Sequence, residues 1–246
     1  MSITLPDEAL TWLSVWQDVR GLVLASDTHL TRRLTSAGHT VYALSDDADL
    51  VGRLAPLERV TPILARPEAI PTDPLQFEVV FAHQCLHRYD LDHALPQLAR
   101  VLRAGGCVSA SYLVRDDSVP WVRRLAALLR RYDPMAMKGD YGHQSLDALS
   151  RSKYFPEVER RAFRIWQAIS RDGLVAMVRN QPLAANLDED QLDALLGQVV
   201  DLFDGAVRPG EQLRLPYQLL CWRAWVSHEE LTAPVVMPDD GLAIPL

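Results

Sequence analysis

What this 246-residue chain has little of narrows its function before any motif is read. Its three cysteines, Cys85, Cys107 and Cys221, are far apart, odd in number and set among apolar residues. That excludes a disulfide framework and fits buried free thiols. No two of them have metal-ligand spacing. Positive charge is the minority sign: 25 lysines and arginines against 32 acids leave a net charge of -7. A nucleic-acid partner held by phosphate neutralisation is therefore not expected. The pairs Arg123-Arg124 and Arg130-Arg131 read as solvated helix faces. No run approaches the roughly 18–20 apolar residues of a membrane span. The first residues lack the basic start and apolar run of a signal peptide, so a cytoplasmic protein is expected. No paired carboxylates, nucleophile elbow, phosphate loop or internal repeat occurs. Most telling, no glycine lies between Gly21 and Gly38.

That glycine-free stretch is where the chain reads as an apolar strand, a tight turn and the start of a helix. Residues 21–34 run GLVLASDTHLTRRL. In a doubly wound α/β protein such a turn is where a nucleotide's polar parts meet a helix N-terminus. It normally uses glycine, which adopts positive φ freely and lets a ligand approach the backbone. Position and chemistry disagree here.

The rest of the pattern alternates strands and helices. Residues 5–19 carry Leu10, Leu13 and Trp16 at helical spacing after Pro6 and two acids. Residues 21–25, 40–44, 60–65, 77–82 and 107–114 are apolar strand candidates. The nearly continuous run at 77–82 suits a strand buried on both faces of a parallel sheet. Asp27 or Thr28 can cap the helix carrying Leu30 and Leu34. A helix is expected over 46–54. Another is expected over 90–103, closed by Gly105-Gly106. Residues 118–132 form a further helix, 133–144 an irregular connection and 158–168 a possible strand. Residues 188–203 form a helix opened by Asp188 and Gln191 in a capping-box pattern. Residues 213–226 make a final strand. The whole predicts a doubly wound, mostly parallel sheet over residues 1–228, followed by an extended tail over 229–246 with several prolines.

The order of these motifs resembles the class I S-adenosylmethionine-dependent methyltransferases, in particular their small-molecule type 11 branch. The resemblance is carried by FEVVFAHQCLHRYD at 77–90, ALPQLARVLRAGG at 94–106, RDDSVPWVRRL at 115–125 and LPYQLLCWRA at 215–224. In the second half of the first segment, Gln84, Leu86, His87 and Asp90 match a family segment, with Arg88 where tryptophan is usual. The resemblance implies a Rossmann-like, seven-stranded sheet with its last strand antiparallel. It also implies a cofactor over the C-terminal ends of the first four strands.

The cofactor positions that the resemblance picks out are mostly altered. The first turn, Ala25, Ser26 and Asp27, is one residue short of the family's and has no glycine. Its usual strand carboxylate falls on Leu22 or Val23. The acid that holds both ribose hydroxyls falls on Ser45, with Asp46 one residue on. The segment that contacts adenine reads ARPE at 65–68, so Arg66 stands where an acceptor is wanted and Glu68 follows. A guanidinium only donates. The family's covering segment ahead of the first helix has little room in the few residues that precede residue 5. Gln84 completes the positions matching the cofactor site. Each lost buried hydrogen bond costs about 1–3 kcal/mol, and about 1.4 kcal/mol is tenfold in affinity.

His83 and His87 flank Gln84, where the family places the methyl group and acceptor. Either can serve as a general base, and the plain alternative is that His87 only holds the turn by hydrogen bonding. His29, Asp116, Asp117, Trp121, Tyr217 and Trp222 read as surface, capping or core residues. The leading expectation is a protein of methyltransferase fold with a degenerate S-adenosylmethionine site and no cofactor. It would act by binding a protein partner, a homologue or another enzyme, with the apolar residues of 234–246 as a contact segment. The alternative is a divergent, active S-adenosylmethionine-dependent methyltransferase on a small-molecule acceptor. In that reading Asp46 and Glu68 take over ribose and adenine, and His83 or His87 assists deprotonation. A third reading gives the pocket an anionic ligand held by Arg66.

Overall fold

The computed structural model describes residues 5–137, 143–207 and 212–231. Seven strands form one sheet: β1 (Arg20–Leu24), β2 (Thr40–Ser45), β3 (Val60–Leu64), β4 (Phe77–His83), β5 (Leu102–Arg115), β6 (Glu157–Ala168) and β7 (Arg214–Trp225). Their order across the sheet is β3-β2-β1-β4-β5-β7-β6. The first five run parallel, and β7 lies antiparallel between β5 and β6. This is the expected Rossmann-like arrangement with its last strand reversed.

Helices α1 (Asp7–Ser14), α2 (His29–Ser36) and α3 (Ala48–Leu54) cover one face. Their Leu10, Leu13, Leu30, Leu34, Leu50 and Leu54 pack on Val23, Val41, Val79 and Phe81. Helices α4 (Leu91–Val101) and α6 (His143–Arg151) cover the other, with Leu95, Leu98, Leu146 and Leu149 over Leu22, Val80 and Val108. A third apolar cluster joins α5 (Pro120–Leu129), α7 (Arg171–Arg179) and α8 (Glu189–Ala206) to the first residues of β7. It caps the C-terminal edge of the sheet beside β5, β6 and β7.

One glycine of β1 has a specific neighbour. A Cβ on Gly21 would lie 2.6 Å from Cε2 of Phe81, whose ring is 1% exposed. Glycine is therefore required inside β1 by packing, while the turn that follows has none.

Several boundaries differ from the sequence reading. Helix α4 stops at Val101 rather than running to Arg103, because the backbone N–H groups of Leu75 and Gln76 take the carbonyls of Arg100 and Val101. Strand β5 therefore starts at Leu102 and carries both glycines, Gly105 at φ +75°. Helix α1 ends at Ser14, where Val15 adopts φ 65° and turns the chain. Helices α6 and α7 were not foreseen. Each is nine residues long, and α7 buries only Leu174 and Val178, too few apolar positions for a clear period. The capping box at Asp188 and Gln191 forms as expected, with Asp188 accepting from Gln191 N at 2.8 Å. The proposed contact segment at 234–246 lies outside the described residues.

Candidate functional site

The parallel strands bring the sequence-predicted positions to one edge. β1 ends at Leu24, and the buried Ala25 donates its N–H to Leu44 O on β2 at 2.8 Å. Ser26 and Asp27 are exposed, and Asp27 Oδ1 accepts the N–H of His29 at 2.7 Å. The turn is thus closed by its own backbone and side chain. On β2, Ser45 is 3% exposed and its hydroxyl accepts the N–H of Asp47 at 3.2 Å. Asp47 in turn caps α3 by accepting from Asp49 N and Leu50 N.

The end of β3 lies alongside the end of β2, and this adjacency brings three charges together. Arg66 presents two guanidinium nitrogens to the two carboxylate oxygens of Glu68, each at 3.3 Å. Its third nitrogen lies 3.7 Å from Asp46 Oδ2. Glu68 also accepts the N–H of Asp90 at 3.0 Å, which ties the group to the start of α4. Burial pushes the Glu68 carboxyl up, but hydrogen bonds from Arg66, Asp90 N–H and its own N–H outweigh it and hold it below the ordinary range. The two acids that the sequence offers as substitute acceptors are both engaged by Arg66. The arginine offered as an anion anchor already has two carboxylate partners.

At the end of β4, His83 Nδ1 and Ser111 Oγ on β5 share a 2.9 Å hydrogen bond, and Gln84 Nε2 lies 3.4 Å from His83 Nε2. Gln84 can only donate through that nitrogen, so the network places the imidazole proton on Nδ1. Burial drives the His83 pKa down to about 4, with Asp27 opposing and His29 adding to the drop. A general base works best with a pKa near the operating pH, so His83 is neutral and weakly basic. His87 is exposed; its N–H and its Nδ1 both lie 3.2 Å from the Tyr112 hydroxyl. The turn-holding role fits it. Asp116 is buried and binds Arg164 at 2.5 Å, Asp117 pairs with Arg115, and Trp121 and Trp222 are core residues. Among the described residues no group of histidine, cysteine and acids could hold a metal, and no helix is long and apolar enough to cross a membrane.

A cavity of about 430 Å³ opens between the strand ends and the helical cap. Its walls come from Gln84, residues 113–115 of β5, 133–137 after α5, 181–183 after α7, and Tyr217 on β7. Sequence reading assigned Tyr217 to the core and did not single out Gln181 or Leu183. No local signal could have found them, because the cap joins segments far apart in the chain.

An uncharacterized methyltransferase of Mycobacterium tuberculosis is 28% identical over 226 residues, covering 90% of this chain and 89% of the relative. The family model described as a methyltransferase domain matches residues 25–110. Over these stretches the chain is similar to methyltransferases, and its fold is the Rossmann-like methyltransferase fold. Among solved structures, a protein described as a type II methyltransferase from Anaeromyxobacter dehalogenans superposes on this chain with TM-score 0.69 at 18% identity. That match covers 92% of this chain and 98% of the other. The [4+2]-cyclase SpnF superposes with TM-score 0.50 at 18% identity over 90% of this chain and 80% of its own. The segment that the methyltransferase-domain model matches takes in the first turn, Ser45, Arg66 and His83.

Proposed function

We propose that this protein of methyltransferase fold belongs to the S-adenosylmethionine-dependent methyltransferases, has a degenerate cofactor site and acts by binding rather than by methyl transfer. The observation that carries the reading is the Arg66 bridge to Asp46 and Glu68. Ribose hydroxyls and an adenine amine are donors and need carboxylate or carbonyl acceptors. Here Glu68 already accepts two hydrogen bonds from Arg66, Asp46 lies 3.7 Å from the same guanidinium, the Ser45 hydroxyl accepts from Asp47 N, and the first turn lacks a glycine against which a ligand could lie. These residues do not fit the cofactor. The likeness to a [4+2]-cyclase supports a fold that is not bound to one chemistry.

Isothermal titration tests this. S-adenosylmethionine is expected to give no saturable heat up to high micromolar concentration. A dissociation constant in the low micromolar range overturns the reading and favours a divergent active enzyme. That second reading is supported by the full-length relative's description as a methyltransferase, and by the exposure of Arg66, whose side chain is 55% accessible and free to swing away.

A further inference from the structure

We propose that a cleft at the N-terminal ends of β1 and β2 is a second ligand site, one that takes a planar aromatic molecule. The ligand's ring nitrogen or carbonyl accepts a hydrogen bond from His39, and its ring stacks on Trp16. The cleft measures about 680 Å³, with Leu10, Trp16, Asp18, Gly38, His39 and Arg59 among its walls. Residues 17–19 lead into β1, 37–39 into β2 and Arg59 into β3, whereas Ala25, Ser45 and Arg66 follow the same strands. At about 3.3 Å per residue, a strand as long as β1 puts roughly 16 Å between the two ends. The two sites are independent.

Local sequence places the donor. Gly38, at φ +97°, ends α2 in a Schellman turn. Its N–H donates to Thr35 O at 3.0 Å, and the His39 N–H donates to Leu34 O at 3.1 Å. His39 is thereby held 5% exposed, with Nδ1 accepting the Val19 N–H at 3.2 Å. Burial lowers its pKa, opposed by Asp18 and aided by Arg59, so the ring is neutral at pH 7. A neutral imidazole that accepts at Nδ1 carries its proton on Nε2. Among the described residues Nε2 has no hydrogen-bond partner, and it is not sealed from solvent. The cleft that His39 lines is where an acceptor can reach it.

Strain places the platform. Val15 sits at φ 65°, ψ -55°, and the Trp16 N–H donates to Ser14 O at 2.7 Å. That is the rare, strained form of the γ-turn, on a β-branched residue for which positive φ is an outlier. It ends α1 and leaves the Trp16 indole 44% exposed, in edge contact with Trp225 at 6.0 Å. Asp18 and Arg59 also have positive φ, at 53° and 61°. Three of the six described non-glycine residues with positive φ thus line one cleft, and such strain collects at ligand sites. The charged residues of the cleft offset each other, with Arg59 donating to Asp18 at 3.0 Å. An ion would give up hydration without a matched counter-charge, so the ligand is neutral.

Three probes of one shape test this. Quinoline has the acceptor, naphthalene lacks it, and N-methylquinolinium replaces it with a methyl group and a positive charge. Each is titrated into isotope-labelled protein while the six tryptophan indole N–H signals are followed by NMR. The Trp16 signal, identified by its loss in Trp16→Leu, is expected to shift saturably with quinoline. Naphthalene is expected to bind there about three- to tenfold more weakly for the lost hydrogen bond, and the cation most weakly. His39→Asn keeps an acceptor for the Val19 N–H and removes the donor, so quinoline should fall to the naphthalene value. Trp16→Leu should weaken quinoline by about tenfold, read from the Gly38 backbone N–H. Thermal melting checks that both variants fold; if His39→Asn does not, the order of the three probes on the unaltered protein decides. The proposal is overturned if the Trp16 signal does not saturate with quinoline, or if either other probe binds as tightly. It is also overturned if folded His39→Asn keeps the preference for quinoline, or if Trp16→Leu leaves quinoline binding intact.

Discussion

Phe81→Ala is expected to lower the unfolding free energy by about 3–5 kcal/mol, the usual cost of removing a fully buried phenylalanine. The ring is 1% exposed on β4, the strand paired with both β1 and β5, and it lies against Gly21. Urea unfolding should show the midpoint falling with little change in slope. A second substitution tests the geometry. Gly21→Ala alone drives a Cβ into the ring, 2.6 Å from Cε2, and is expected to cost about 1–3 kcal/mol. In the Phe81→Ala background the same Cβ enters vacated space, so Gly21→Ala should become close to neutral. Strictly additive costs would show that the ring is not what excludes a side chain at position 21.

Asp116 is the site of the second large effect. Its carboxylate is buried at the start of the loop after β5. A hydrogen bond from the Ser118 hydroxyl, helped by Ser118 N–H and Arg164 and opposed by burial, holds its pKa down to about 2. A carboxyl whose folded pKa is depressed contributes stability above its unfolded value, near 4, and loses it as pH falls toward the folded value. The contribution at neutral pH is on the order of 2 kcal/mol. Asp116→Ala should therefore be destabilised by about that amount at pH 7, and the gap between the two proteins should close between about pH 4 and pH 2. A gap that stays constant down to pH 2.5 would remove Arg164 and Ser118 from the account.

The fold was legible because its evidence is local. Continuous apolar strands such as 77–82, the period of α4 and α8, and the Asp188–Gln191 pattern each need only a few neighbouring residues to be read. The places where reading failed are those where tertiary contacts decide. Gly105-Gly106 looks like a helix stop, yet the carbonyls that end α4 are claimed by residues 75 and 76, a partner no local pattern predicts. The site shows the same division. The loss of turn glycines and the acceptor-to-donor change at Arg66 are visible in single positions. That Arg66 reaches Asp46 and Glu68 together requires the ends of β2 and β3 to be side by side, which only pairing such as Ser45 opposite Leu64 establishes. The cavity walls come from β4, β5, β7 and the loops of the cap, and no window of sequence spans them.

The Arg66 bridge also bears on selectivity. A cation fixed to the chain two residues from Glu68 and across one strand pair from Asp46 is present at an effective concentration on the order of millimolar or more. A diffusing donor seeking those two acids meets a tethered competitor rather than a wall. Exclusion of this kind depends on salt and on the charge of residue 66 rather than on volume, so it can be tuned by one substitution without moving the backbone.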